Sequence, residues 1–228
     1  MEGLMDGVRK LLEESSLYID LIRGEEMPEV RVCIRLVDVD EAVTLVFGEG
    51  TDIVEGCFSP DIEIEMDSKI LEKILQGKAD AFALAARARG DEVRPVEFKI
   101  NNLEALESGK ALLTYLFAPG KAGKVKMRRL CEELAGEAHG AHPIPLAYWD
   151  GFRSSWYLVK AGETLNREGE ADPWPQMFIV LKGRGRAKVH DEEFEIEPKT
   201  AIYIPKDGIH QIFAMEDVEL IWISWQSY

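Results

Sequence analysis

Apolar residues recur at helical spacing from the start of the chain. Leu4, Val8, Leu11 and Leu12 form one stripe, and Leu17, Ile19, Leu21 and Ile22 widen it. This predicts an amphipathic helix over residues 4–22, ended by Gly24 and Pro28. The period then drops to two. Val30-Arg31-Val32-Cys33-Ile34-Arg35-Leu36 alternates as a half-buried strand does. Asp38-Val39-Asp40 reads as a turn, residues 42–47 as a second strand, and Gly48-Glu49-Gly50 as its break. Ile62-Glu63-Ile64-Glu65-Met66 is another clean alternation. Asp67 or Ser68 can cap a helix reaching Leu75, with Ile70, Leu71, Ile74 and Leu75 on one side and Gly77 as its stop. Residues 79–89 are Ala-rich and fit a helix or a strand. Residues 96–100 read as a strand and 103–117 as a helix, with Leu103, Leu106, Leu113 and Leu116 among its apolar positions.

The texture changes after residue 117. Pro119, Gly120 and Gly123 punctuate a stretch carrying Lys121, Lys124, Lys126, Arg128 and Arg129, followed by His-Pro-Ile-Pro. This predicts a linker over residues 121–145 between domains at 1–120 and 146–228. Beyond it, short strands follow one another at regular spacing, at 155–159, 177–181, 186–190, 193–196, 201–204, 210–214 and 218–225, the pattern of an all-β sandwich or barrel. Hairpin signals sit at Lys182-Gly183-Arg184-Gly185 and His190-Asp191-Glu192.

Composition narrows the functions available. With 228 residues, either half can bury its own core. A net charge of -15 repels phosphate backbones, which excludes nucleic acid as a general partner. Cys33, Cys57 and Cys131 are far apart and odd in number, so buried free thiols and a reducing compartment are expected. Residues 1–6 carry early acids and no signal-like apolar core, and no stretch approaches the ~18 apolar residues that span a bilayer. A cytoplasmic protein is expected.

Two blocks carry a family resemblance. Met177-Phe178-Ile179-Val180-Leu181-Lys182-Gly183-Arg184-Gly185 resembles the first motif of the cupins, and Ile202-Tyr203-Ile204-Pro205-Lys206-Asp207-Gly208-Ile209-His210-Gln211-Ile212 resembles the second. The resemblance covers about residues 147–228 and implies an all-β double-stranded β-helix, or jelly-roll, barrel. Metal-bearing cupins use a His-x-His, a Glu and a later His. His210 matches the last, and Gln176 sits where the Glu would be. The His-x-His is absent; Glu170-x-Asp172 has a compatible spacing, as does Asn166-x-Glu168 with a longer loop. The resemblance therefore names Trp174, Gln176, Tyr203 and His210 as pocket residues. It names Glu170, Asp172, Gln176 and His210 as a possible set for one divalent ion. The competing reading is a barrel that is empty or holds an organic ligand, with His210 a hydrogen-bonded remnant.

In the first half, Asp61 to Met66 followed by a helix ending in Leu75-Gln76-Gly77-Lys78 resembles the sterol carrier protein type 2 domain, over roughly residues 5–118. That resemblance implies an α+β fold, an antiparallel-type sheet with helices on one face, around a cavity for lipid or acyl groups. Val46, Ile64, Leu71, Leu75, Phe82, Leu84, Leu113, Leu116 and Phe117 are the candidate lining residues; the alternative for each is ordinary core. No catalytic residue is assigned.

Two smaller signals have plain explanations. His139-Gly-Ala-His142 has no carboxylate or thiol beside it in sequence and reads as a solvated linker. The basic cluster at 121–129 could meet anionic headgroups or pair with the chain's own carboxylates. The leading expectation is a binding protein for a small hydrophobic or acyl-bearing ligand, with the cupin barrel taking a second ligand or forming a homodimer. The alternatives are a cupin-type metalloenzyme acting on a small organic substrate and a purely structural barrel.

Overall fold

The computed structural model describes residues 3–23, 29–122 and 125–226. The chain divides into two compact units. One comprises residues 1–85 with 93–129, the other 86–92 with 130–228.

In the first unit, strands β1 (Val30–Leu36), β2 (Glu41–Phe47), β3 (Thr51–Glu55), β4 (Ile62–Met66) and β5 (Val96–Ile100) make one sheet in the order β3-β2-β1-β4-β5. The sheet is mixed, not antiparallel throughout: β1 and β4 run parallel, with Val32 opposite Ile62 and Ile34 opposite Ile64. Two tight turns carry the chain outward from β1 to the edge at β3. The return to the other side of β1 is a crossover, which is the connection that parallel neighbours require. Asp61 ties the strand ends together: its carboxylate accepts from the Arg31 amide at 2.8 Å, and its carbonyl accepts from the amides of Asn101 and Asn102.

The helix expected over 4–22 is two, α1 (Leu4–Glu14) and α2 (Ile19–Arg23), separated by a turn in which Ser15 is buried. Gly24 and Pro28, read as its stop, lie outside the described residues. Helix α3 (Ser68–Leu75) follows β4 as the periodicity predicts; Asp67 takes the N-cap position without a side-chain capping bond, and the Ser68 hydroxyl donates to Asp38 instead. The ambiguous Ala-rich stretch gives a five-residue helix, α4 (Ala81–Ala85). Residues 103–117 are helical almost throughout, from a short 3-10 turn through α5 (Leu106–Ala111) into a wider π turn.

The expected linker is structured. β6 (Gly120–Ala122) and β7 (Val125–Met127) form a hairpin, and the basic residues there pair with acids of their own unit: Lys121 with Glu14, and Arg128 with the buried Asp80 at 2.5 Å. Cys33 and Cys57 form a disulfide, which corrects the expectation of free thiols; Cys131 stands outside it. Spacing along the chain could not reveal the pair, because the sheet brings β1 beside the segment after β3. The argument from the cysteines for a reducing compartment falls with it. No described helix is long and apolar enough to cross a membrane.

The second unit contains β8 (His142–Trp149), β9 (Phe152–Val159), β10 (Thr164–Leu165), β11 (Gln176–Lys182), β12 (Gly185–Val189), β13 (Glu192–Ile196), β14 (Ala201–Ile204), β15 (His210–Ala214) and β16 (Val218–Trp225). They form two sheets, β14-β11-β16-β9-β8 and β10-β15-β12-β13. Alternation decides what faces inward. Phe178 and Val180 of β11, Ile202 and Ile204 of β14, Leu220 and Trp222 of β16, and Ile212 of β15 build one buried cluster. Gly183 turns β11 into β12 at φ +78°, where a Cβ would lie 2.1 Å from the Asp217 carbonyl, so no other residue fits there.

Candidate functional site

Three rows of side chains cross the larger sheet of the second unit. Residues directly opposite on neighbouring strands share a face, so register defines each row. The outermost places Tyr148, Arg153, Ser224 and Gln176 side by side on β8, β9, β16 and β11. The next places Ser155, Trp222 and Phe178, and the third Tyr157, Leu220 and Val180. Tyr148, Arg153 and Gln176 of the outermost row, Trp222 and Phe178 of the next, and Tyr157 of the third line a cavity of about 510 Å³. Its remaining wall comes from Leu165, Asn166 and His210, from the loop bearing Glu170, Ala171 and Asp172, from His139, and from residues 87–89.

His210 begins β15 and is buried. Its Nδ1–H donates to the Gly208 carbonyl at 2.8 Å, since a carbonyl can only accept. The lone pair therefore sits on Nε2, where it accepts from the Asn166 side-chain amide at 2.8 Å. Burial pushes the imidazole's pKa below its ordinary value, against the smaller pull of Gly208, Asp172 and Glu170. His210 is thus a neutral ring with both nitrogens engaged. Asn166 adopts a left-handed backbone, φ 65°, which asparagine tolerates better than most residues.

Gln176 is buried in the outer row. The indole Nε1–H of Trp222 can only donate, so the amide oxygen faces it, at 2.5 Å. That orientation leaves Gln176 Nε2 buried with no hydrogen-bond partner. Tyr157 is buried below it, and burial raises its hydroxyl well above the ordinary tyrosine range. Tyr148 is shifted upward for the same reason, and its hydroxyl lies 3.4 Å from Ser155 Oγ. Both phenols stay protonated.

The charged groups lie at the mouth. Glu170 meets His139 Nδ1 at 3.2 Å, and Asp172 accepts from the Trp174 amide at 2.9 Å. The Arg153 guanidinium stacks over the Trp174 ring, 4.3 Å from its centre.

The residues expected at the pocket separate accordingly. Gln176 and His210 line it, and Trp174 flanks it through Arg153. Tyr203 does not: it is 70% exposed, because Ile202 and Ile204 take the inward positions of β14. His139, read as solvated linker, lines the cavity, while His142 contacts Glu163 at 3.1 Å. Sequence reasoning missed Tyr148, Tyr157 and Arg153; the rows they join follow from pairing register, which the sequence alone does not display.

The possible metal set is not assembled. Among the described residues, Glu170, Asp172 and His210 do not bring ligand atoms within 4.8 Å of one another. His210 Nε2 and Gln176 Oε1, the two atoms that would coordinate, each hold a protein N–H instead. These donors do not fit a divalent ion. The one cluster with ligand atoms that close is Cys33, Cys57 and Glu63, and its sulfurs are spent in the disulfide.

Residues 155–225 match the family model described as the cupin domain. The C-terminal barrel is a cupin-type all-β domain. The chain is also similar, in part, to several solved structures. The plu4264 protein from Photorhabdus luminescens is 22% identical over 44% of this chain and 88% of its own, with a TM-score of 0.40. A cupin 2 conserved barrel domain protein from Salinispora arenicola is 18% identical over 45% and 89%, with a TM-score of 0.40. KdgF from Halomonas is 16% identical over 39% and 81%, with a TM-score of 0.35. No curated protein matches the chain in sequence. The cupin match does not reach the N-terminal unit.

Of the lining residues proposed for an N-terminal cavity, Ile64, Leu71, Phe82, Leu113, Leu116 and Phe117 are buried, and Val46, Leu75 and Leu84 are half-buried. Leu71 and Leu75 border a recess of about 360 Å³, together with Leu4, Leu36 and Val39.

Proposed function

We propose that the cupin-type barrel is a binding site for a small organic molecule with a flat apolar body, and that it works without a metal ion on His210. The observation that carries this is the Gln176 amide. It is a buried N–H donor without a partner in a cavity walled by Trp222, Phe178 and Tyr157. A buried donor without an acceptor costs about 1–3 kcal/mol, and a guest bearing an acceptor recovers that. The aromatic walls supply apolar contact, and few polar groups fix orientation, as in ligand pockets generally.

The metalloenzyme alternative is weaker because its ligand atoms are committed to protein hydrogen bonds. For the N-terminal unit we propose the recess beside Leu71 and Leu75 as the seat of a small apolar or acyl-bearing group.

The test is mass spectrometry of the intact chain under native and denaturing conditions, with metal analysis of protein purified without chelator. A small organic molecule released on denaturation, with metal well below one ion per chain, supports the reading. Stoichiometric metal that disappears in His210→Ala overturns it.

A further inference from the structure

We infer that the barrel's ligand carries a carboxylate, held between the Arg153 guanidinium and the Gln176 side-chain amide at the outer row. This rests on the ligand-binding reading above and specifies its chemistry. Arg153, Ser224 and Gln176 stand in one register row on three neighbouring strands, all on the cavity face. Two strand spacings separate the outer members, about 10 Å between their Cα atoms, a span that a long arginine closes easily. Both residues border the cavity, and the groups they would offer an acid, the guanidinium and the unpartnered Gln176 Nε2, are N–H donors only.

The two carboxylates of the lining already have hydrogen-bond partners in the protein. Glu170 has His139, and Asp172 has the Trp174 amide. No carboxylate lies within ion-pair distance of Arg153 among the described residues; its contact is the face of Trp174. Stacking uses the flat side of a guanidinium and leaves its edge, where the paired N–H groups lie, for a carboxylate in the same plane. Arg87, on the segment 86–92, brings a further cation to the same lining. The ligand would lie with its carboxylate at the mouth and its flat body inward against Trp222 and Phe178.

A matched pair of probes tests this on the full chain: 2-naphthoate against 2-naphthamide, with binding followed by isothermal titration calorimetry. Naphthoate is expected to bind one per chain, at least tenfold tighter than the amide. Arg153→Met is expected to remove that preference, lowering naphthoate affinity at least tenfold and naphthamide affinity by much less. Arg153→Lys, which keeps the charge and loses the fork, should fall between. Circular dichroism melting checks that the half-exposed Arg153 tolerates replacement. Equal affinity for the two probes, or a preference that survives Arg153→Met, overturns the carboxylate assignment and leaves the binding pocket standing. Failure of both probes to bind at millimolar concentration overturns the pocket reading and the carboxylate assignment together.

Discussion

The Trp222 indole donates to Gln176 Oε1 at 2.5 Å between diagonal neighbours on β16 and β11. This one bond sets which end of the amide faces the cavity. Gln176→Leu removes the unpartnered Nε2 but orphans the indole N–H, so it is expected to cost about 1–3 kcal/mol. Adding Trp222→Phe removes the orphan and should return part of the loss. A double-mutant cycle by urea denaturation measures the coupling; strict additivity would mean the bond does not orient the amide.

His210 should make the second unit sensitive to mild acid. Its folded pKa is depressed by burial, while in the unfolded chain it titrates near 6.5. Below that pH the unfolded chain takes up a proton that the folded ring refuses. Its contribution is therefore complete above about pH 6.5 and declines as pH falls toward the folded value. Melting temperatures between pH 7.5 and 5 are expected to fall more steeply in the parent chain than in His210→Asn. Parallel curves would show that the ring is not held neutral.

The barrel was legible because its signals are local. Strand alternation, the turn at Gly183 and the Pro205–His210 block each lie within a few residues, so period and turn chemistry place most strands within a few residues of where they stand. β8 was not legible, since His-Pro-Ile-Pro reads as a breaker when its pairing with β9 is unknown. The site was legible at Gln176 and His210, which the motif marks, and at Glu170 and Asp172, which the ligand spacing marks. Arg153 and Tyr157 enter it through cross-strand register, and Arg87 through a segment distant in sequence. Tyr203 was misplaced because membership in a motif does not say which face of a strand a residue takes. The Cys33–Cys57 pair was hidden for a related reason: β1 and the chain after β3 become neighbours only once the sheet is ordered.

Asp80 and Arg128 should be the most sensitive pair in the first unit. Asp80 is fully buried, accepts from the amides of Phe82 and Ala83 at the start of α4, and meets Arg128 Nε at 2.5 Å. That contact is an ion pair whose angle misses hydrogen-bond geometry. Burial raises the carboxyl's pKa against the opposing pull of Arg128 and the two amides. Arg128→Met would leave the carboxylate without its cation, and a loss of about 3–5 kcal/mol is expected. Asp80→Asn keeps an acceptor for the two amides and should cost less than Asp80→Ala. Chemical denaturation of the three variants gives the ranking; an Arg128→Met variant as stable as the parent would show that the pair is not needed.

Reduction should weaken the first unit and leave the barrel's ligand site unchanged. The disulfide joins Cys33, buried in the central strand β1, to Cys57 just beyond β3, with 24 residues of separation. Closing a loop of that length restricts the unfolded chain by about 3–3.5 kcal/mol in the chain-entropy account. The enclosed segment holds β2 and β3, so the constraint acts on the edge of the sheet, adding to the β1–β2 and β2–β3 ladders. Cys33→Ala/Cys57→Ala, or the parent in dithiothreitol, is expected to melt several degrees lower. Fluorescence of Trp222 and its neighbours should report unchanged binding of 2-naphthoate below that melt, because the barrel has its own core. Identical melting with and without reductant would mean that the two thiols do not pair in solution.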